Sequence, residues 1–350
     1  MTILSYSDVE SQLPKKGRSH LLLGNGFSIA CDSTFSYGSL FDYVKNNGLP
    51  NRVLGVFERL GTNNFEGVMR LLDDTDWMAH HYGLIDAQDN VSSMMLEDLE
   101  VLKNALVSAV ARTHPARNND IPDEKKRQCA QFLNPYHNVF TTNYDLLLYW
   151  VEMNSLELLQ GRDGFRSDVD DPESNYVVFQ EHVGNNKGIF FIHGALHLYV
   201  KDGEVRKHTW CRNQKPLIQT IRESLNDGQY PLFVAEGKAN QKLEQIQRSG
   251  YLSYCLGKLE RIKNSLVVYG LSFGESDEHI AKVLAYNKEL KKLYVGIFGD
   301  PALPENLEIQ KNIELIQKKR EELIVLGRAV ERLEVHYYDS STAPVWTLQE

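Results

Sequence analysis

The sequence predicts an α/β protein with a Rossmann-type, mainly parallel sheet, helices on both faces of that sheet and a helical insertion. Three observations support this prediction. Short apolar or aromatic runs alternate with longer amphipathic segments along the 350 residues. Most of the short runs end at Gly, Asn or Asp. Between the first two runs lie more than a hundred residues with helical periodicity, which is too long for a simple crossover.

Eight segments are expected to form strands, because they are short and rich in β-branched or aromatic side chains. They are His20–Leu23, Asn138–Thr142, Tyr176–Phe179, Gly188–His193, Leu232–Ala235, Leu266–Tyr269, Leu293–Phe298 and Leu333–Tyr338. A hairpin is expected within His197–His208, since two runs of mixed polar and apolar residues flank Asp202-Gly203, a dipeptide that favours a tight turn.

Residues 39–135 are expected to form a helical insertion that covers one edge of the sheet. Within it, Phe65–Trp77 and Ser92–Arg112 carry apolar side chains at three- and four-residue steps, the spacing of one helix face. Glu305–Arg332 is expected to be a long charged helix. We interpret residues 1–350 as a single domain, which the helix and strand of residues 300–350 complete.

Composition and charge exclude several classes of function. The 47 acidic residues outnumber the 38 basic ones and give a formal net charge of −9, so binding to duplex nucleic acid is not expected. The four cysteines, at positions 31, 129, 211 and 255, have neither zinc-site nor disulfide-framework spacing. The first twenty residues lack the apolar run of a signal peptide, and no stretch approaches the ~18 apolar residues of a membrane span. We therefore expect a cytoplasmic protein without a membrane partner.

The first candidate motif follows the first strand. Leu21–Leu23 run directly into Gly24-Asn25-Gly26, and glycines in such a turn let backbone N–H groups approach a pyrophosphate. The dinucleotide fingerprint has a further glycine three residues after the second one, where this chain has Ile29. Taken alone, the motif is equally well explained as a structural turn.

The second candidate motif follows the next strand of the predicted sheet. Thr142, Asn143 and Asp145 lie at what would be its carboxyl end, the edge at which open α/β sheets bind ligands. The alternative is that Asn143 or Asp145 caps the following helix, because Asn and Asp are favoured at that position.

The third candidate is His193, which ends a very apolar strand and precedes Gly194. A histidine there is placed to titrate near neutrality and to act as a base, although a buried core histidine is the alternative. His197 follows four residues later. No metal is expected at this pair, because the glutamate of the H-E-x-x-H motif and a thiolate cluster are both missing.

The fourth candidate is Gly270–Gly274, which follows another apolar strand. Gly270 and Ser272 could contact a ribose or a phosphate. The segment also matches the G-x-S-x-G nucleophile elbow of hydrolases, with Asp277, Asp300, His279 or His336 as downstream partners. That alternative leaves the other three strand ends unused and therefore ranks below a shared nucleotide site.

In their order along the chain, the four strand ends GNG, TTNYD, IHG and GLS resemble the sirtuin-like (SIR2-like) family over approximately Ser19–Leu284. The resemblance implies a Rossmann-type domain that binds and cleaves NAD+. It makes His193 the catalytic histidine and implies Asn143 and Asp145 as further catalytic residues near the nicotinamide ribose and carboxamide. The residues that it implies for cofactor binding are Gly24, Asn25, Gly26, Phe27, Thr142, Gly270 and Ser272.

Two departures from the family narrow the implied activity. Sirtuin deacylases carry two CxxC pairs after the His-Gly, whereas only Cys211 and Cys255 follow here, and the arginine-bearing loop after the glycine turn is absent. The resemblance therefore implies NAD+ hydrolysis to nicotinamide and ADP-ribose, without a metal. A deacylase, an ADP-ribosyltransferase and a non-catalytic NAD- or ADP-ribose-binding module remain alternatives. It also implies a regulated bacterial antiphage-defence effector that forms a homo-oligomer and can act with a partner protein of a defence system.

Overall fold

The computed structural model describes residues 2–14, 19–86, 90–181, 187–209, 215–328 and 331–347. Cys211 of the sequence analysis lies outside these residues. The strands of the described part are β1 (Ile3–Leu4), β2 (Ser19–Leu23), β3 (Asn138–Thr141), β4 (Phe165–Ser167), β5 (Tyr176–Phe179), β6 (Gly188–Phe191), β7 (Leu198–Lys201), β8 (Glu204–His208), β9 (Asn264–Tyr269), β10 (Leu290–Ile297) and β11 (Glu334–Asp339).

Seven of these strands form the central sheet, in the order β1-β11-β10-β9-β2-β3-β6. Every neighbouring pair in it is parallel. If β2, β3, β6, β9, β10 and β11 are counted from one to six, their spatial order is 3-2-1-4-5-6, the strand order of the Rossmann fold. The α/β prediction with a mainly parallel sheet is confirmed. The strand order reverses between β2 and β9, so ligand binding is expected at the carboxyl ends of this pair.

A second, four-stranded sheet is antiparallel, with the order β4-β5-β8-β7. Its β7–β8 hairpin is the one predicted around Asp202-Gly203. Both residues have positive φ, 53° and 81°, as a two-residue turn that matches the twist of the strands requires.

The helices of the described residues surround the sheets. They are α1 (Tyr6–Gln12), α2 (Asn25–Cys31), α3 (Tyr37–Asn46), α4 (Asn51–Leu60), α5 (Phe65–His81), α6 (Asn90–Thr113), α7 (Asp123–Leu133), α8 (Leu147–Asn154), α9 (Leu156–Leu159), α10 (Leu217–Asn226), α11 (Ala239–Arg248), α12 (Gly250–Glu260), α13 (Glu278–Tyr286) and α14 (Pro304–Val325). None of them has the length and apolar character needed to cross a bilayer.

The block between β2 and β3 is helical, as predicted, and contains α2 to α7. The edge that it covers is the one formed by the strand carboxyl ends, where Leu40 of α3, Glu66 of α5 and Leu106 of α6 line a cavity. Local signals fix its helix boundaries: the Asn64 side chain, for example, accepts a hydrogen bond from the backbone N–H of Gly67 and caps α5.

One predicted strand is absent, and several predicted boundaries differ from the structure. Leu232–Ala235 is not a strand, because its backbone bonds to the turn that follows β6: Val234 N–H donates to the His193 carbonyl at 2.9 Å. Thr142 and His193 lie just beyond the ends of β3 and β6. Helix α14 ends at Val325 rather than Arg332, since Gly327 adopts a φ of 68° that stops the helix.

Candidate functional site

The four predicted strand ends meet at one place in the structure. Strands β9, β2, β3 and β6 are consecutive neighbours in the sheet, so the segments after them are adjacent. These segments line a cavity of about 130 Å³. The predicted site residues that line it are Asn25, Thr142, Asn143, Asp145, His193, Gly270 and Ser272. Gly24, Gly26 and Phe27 are not among the residues that line the cavity.

The glycines of the first motif allow two backbone turns to touch. The N–H of Gly26 donates to the carbonyl of Gly270 at 2.9 Å. A Cβ added to Gly26 would lie 2.5 Å from the Cα of Gly270, and one added to Gly24 would lie 2.4 Å from the Gly270 oxygen. Gly270 itself has a φ of 70°. The structure therefore uses these glycines to pack the turn after β2 against the turn after β9, at the point where the strand order reverses.

Phe27 supports the glycine turn from the protein core. Its side chain is buried, and its ring centroid lies 5.0 Å from that of Trp346. The indole N–H of Trp346 donates to the Phe27 carbonyl at 2.9 Å. The structure thus gives Phe27 a packing role, in contrast to the cofactor contact that the resemblance implies.

Asn143 and Asp145 are linked by a third residue, Ser28 of α2. The amide of Asn143 donates to Ser28 Oγ at 2.7 Å and to the Gly24 carbonyl at 3.0 Å. The Ser28 hydroxyl in turn donates to Asp145 Oδ2 at 2.5 Å. Sequence analysis missed Ser28, although it lies only two residues after Gly26. It connects the glycine turn with the end of β3.

Asp145 combines two roles that the sequence left as alternatives. Its Oδ1 accepts the backbone N–H of Leu147 at 2.8 Å at the start of α8, and its carboxylate also lines the cavity. Burial raises the pKa of Asp145, and the hydrogen bonds from Ser28 and the Leu147 N–H act against that rise.

His193 faces a second histidine that sequence analysis had considered only as a hydrolase partner. Its Nε2 lies 2.9 Å from Nε2 of His279 and 3.9 Å from Oδ1 of Asp277. Burial lowers the pKa of His193 well below its ordinary value, and Lys242 and His279 add to this effect. The near-neutral pKa expected from the sequence is therefore wrong.

His197, the second histidine of the motif, packs into the core. Its ring stacks on Tyr149, with a centroid distance of 4.5 Å, and meets the edge of Phe191 at 5.0 Å. The nucleophile-elbow alternative would pair Ser272 with a histidine such as His279. In the structure, Nε2 of His279 faces His193 instead.

An ion-pair network closes the cavity on the side of the insertion. Buried Lys242 of α11 donates to Glu66 Oε1 of α5 at 2.7 Å and to Asp277 Oδ1 at 3.3 Å. The Ser276 hydroxyl donates to Glu66 Oε2 at 2.5 Å. Sequence analysis gave no signal for Glu66 or Lys242, because they lie on ordinary amphipathic helices far apart in the chain.

The strand order and the position of the cavity define a Rossmann-like α/β protein with a site at the topological switch point. The chain belongs to the family described as "Domain of unknown function (DUF4917)", which matches residues 21–346. The matched region contains all four strand ends and the insertion between them. No curated protein matches the chain.

Proposed function

We propose that this protein is an NAD+ glycohydrolase of sirtuin-like type, which cleaves NAD+ to nicotinamide and ADP-ribose. One observation carries the proposal. The four strand ends that resemble the sirtuin-like family, far apart in the sequence, line a single cavity at the switch point of a sheet with Rossmann strand order. Dinucleotides bind at this point of such sheets.

The charges around the cavity suit the proposed chemistry. Breaking the nicotinamide–ribose bond develops positive charge on the ribose, as in glycoside hydrolysis. Three carboxylates, those of Glu66, Asp145 and Asp277, line the cavity together with one ammonium group, that of Lys242. Fixed negative charge in a site that excludes water stabilises such a transition state.

The polar side chains then have distinct roles in the proposed reaction. The amide nitrogen of Asn143 is held by Ser28 and the Gly24 carbonyl, which orients its oxygen for a ribose hydroxyl or the attacking water. Water adds to C1′ of the ribose, and nicotinamide leaves with the electron pair of the broken C–N bond. The imidazole of His193 takes the proton from the water.

The small volume of the cavity supports a restrained enzyme. About 130 Å³ is well below the ~300–1,000 Å³ of small-molecule pockets, so the insertion must move before a whole dinucleotide can enter. Ion pairs connect the insertion to residues 236–275, the segment that precedes α13. They are Arg70–Glu275, Lys103–Glu236, Lys238–Asp73, Lys238–Asp74 and Lys242–Glu66. We propose that self-association or a defence-system partner in a bacterial cytoplasm releases these contacts.

The second candidate is a non-catalytic module that binds NAD+ or ADP-ribose. The observation that favours it is the contact between Nε2 of His193 and Nε2 of His279, since the proposed base is already engaged. Binding without cleavage is the outcome that distinguishes this candidate from the enzyme.

The test is NAD+ turnover by the purified full chain, with chromatography of the products and calorimetric titration of NAD+. We expect nicotinamide and ADP-ribose in equal amounts, and a loss of at least about 100-fold in His193→Ala and in Asn143→Ala. His336→Ala, a histidine on β11 outside the cavity lining, is the matched control and should retain full turnover.

Each other outcome contradicts the proposal in a different way. NAD+ binding without turnover would favour the binding module, provided that turnover stays absent at raised salt, which weakens the ion pairs of the insertion. ADP-ribose or an acyl group transferred only to an added acceptor would indicate a transferase or a deacylase. No NAD+ binding even at raised salt, where the ion pairs of the insertion are weakened, would overturn the proposal altogether.

A further inference from the structure

Three side chains of the types that bind transition metals converge beside the cavity. The potential ligand atoms of His193, Asp277 and His279 all lie within 4.8 Å of one another. His193 follows β6, whereas Asp277 and His279 lie at the start of α13, two residues apart. His193 and His279 are both buried, and His193 and Asp277 also line the cavity.

The spacing of the three groups is close to that of a coordination sphere. Ligand bonds of ~2.0–2.1 Å in a tetrahedral site place neighbouring ligand atoms roughly 3.3–3.4 Å apart. The two Nε2 atoms are 2.9 Å apart, and Nε2 of His193 is 3.9 Å from Oδ1 of Asp277. Each of these two distances differs from the tetrahedral value by roughly half an ångström, and the third pair lies within 4.8 Å, so small side-chain shifts would admit a cation.

The charges nearby allow a dication. Asp277 and Glu66 contribute two negative charges, and Lys242 contributes one positive charge. Lys242 repels a second cation near Asp277, because its Nζ lies 3.3 Å from Asp277 Oδ1. Its shorter contact, at 2.7 Å, is with Glu66 Oε1, which offsets part of its charge. The three charged side chains sum to a formal charge of −1, so an incoming dication meets net attraction.

We propose that His193, His279 and Asp277 form a binding site for a transition-metal dication such as Zn²⁺. Two imidazoles and one carboxylate are a ligand set that Zn²⁺ and other first-row dications accept. Three protein ligands leave the fourth position of a tetrahedral ion for water or for a bound molecule.

The site has a consequence that rests on the proposed function. A metal ion would occupy Nε2 of His193, the atom that is to accept the proton of the attacking water. Occupancy by Zn²⁺ is therefore expected to inhibit NAD+ cleavage, and a chelator is expected to restore it.

The test is titration of the chelator-treated full chain with Co²⁺, followed by visible spectroscopy and calorimetry. We expect one Co²⁺ per chain with the absorption bands of a tetrahedral site. The affinity for Co²⁺ should fall in His279→Gln and in Asp277→Asn. The decrease should exceed the ~10–100-fold that the loss of an outer-shell partner of a metal ligand costs. The matched control is His336→Gln on β11, where His336 and Glu334 lie 2.6 Å apart in an exposed pair, and it should bind Co²⁺ normally.

Metal binding is measured independently of NAD+ turnover, so the two proposals fail separately. Sub-stoichiometric Co²⁺, or unchanged affinity in His279→Gln and Asp277→Asn, would overturn the metal site. If either variant unfolds, X-ray absorption of the Co²⁺-loaded wild type must show two imidazole ligands, and any other number refutes the site. Turnover that persists when Zn²⁺ saturates the site would overturn the proposed inhibition. If the chain binds metal but the chelator-treated chain shows no turnover, only the NAD+ glycohydrolase proposal is contradicted.

Discussion

Gly26→Ala tests whether the glycine turn exists to bring two backbones into contact. The added Cβ would lie 2.5 Å from the Cα of Gly270, whereas carbon atoms prefer roughly 3.5–4.0 Å. The two turns must then separate by about 1 Å. Overpacking of this kind costs ~1–3 kcal/mol, and the hydrogen bond from Gly26 to Gly270 contributes a further ~0.5–1.5 kcal/mol. We therefore expect the free energy of unfolding to fall by about 2–4 kcal/mol.

Urea unfolding, followed by circular dichroism, measures this change. The matched control is Gly257→Ala within α12, where an added Cβ meets no atom within 4 Å. Alanine is the better helix former by ~0.8–1.0 kcal/mol, so the control should be slightly more stable than wild type. If Gly26→Ala lost less than ~1 kcal/mol, or behaved like the control, the close contact between the turns would not explain the glycines.

Three further predictions concern other parts of the molecule. Burial raises the pKa of Glu152 to about 8, above its unfolded value, so wild type should lose roughly 1 kcal/mol of stability between pH 7 and 9, which Glu152→Gln should not lose. Ser28→Ala removes one buried hydrogen-bond partner from each of Asn143 and Asp145 and should cost ~1–3 kcal/mol in urea unfolding, with lower NAD+ turnover. Lys238→Ala removes ion pairs worth up to ~1 kcal/mol that hold α5, so NAD+ turnover in the resting protein should rise about 2–5-fold.

Each of these predictions has a control or a result that would contradict it. Glu157→Gln, at an exposed position, is the control and should lose stability with pH as wild type does. If Glu152→Gln loses the same stability between pH 7 and 9, the Glu152 prediction is wrong. Ser28→Ala with wild-type stability would mean that the link between Asn143 and Asp145 is dispensable. Lys291→Ala, which removes an exposed ion pair with Glu331 outside the cavity, should leave turnover unchanged. Equal or lower turnover in Lys238→Ala would contradict a restraining role for the insertion.

The sequence predicted the parts of the site that follow from local patterns. An apolar run that ends in Gly-x-Gly, T-x-N-x-D or His-Gly marks a strand and its carboxyl end within a few residues, and parallel strands bring those ends to one edge. The strand order that makes the four ends neighbours is a tertiary property that no single segment encodes.

The remaining parts of the fold and the site could not be predicted, because they too depend on contacts between distant segments of the chain. Lys242 and Glu66 are separated by 176 positions and meet only because the insertion folds over the sheet. Leu232–Ala235 has the composition of a strand, but the turn after β6 takes its backbone hydrogen bonds. His279 reads as an ordinary helical residue until α13 places it against His193.

The most direct test of the NAD+ proposal is the crystal structure of His193→Ala soaked with NAD+, since loss of the base should preserve the bound dinucleotide. We predict that the nicotinamide ribose lies beside Asn143 and Asp145, with the adenosine half along Gly270 and Ser272 and the insertion displaced to admit it. NAD+ bound at another surface, or no NAD+ at millimolar concentration, would contradict the assignment of this cavity as the site of cleavage.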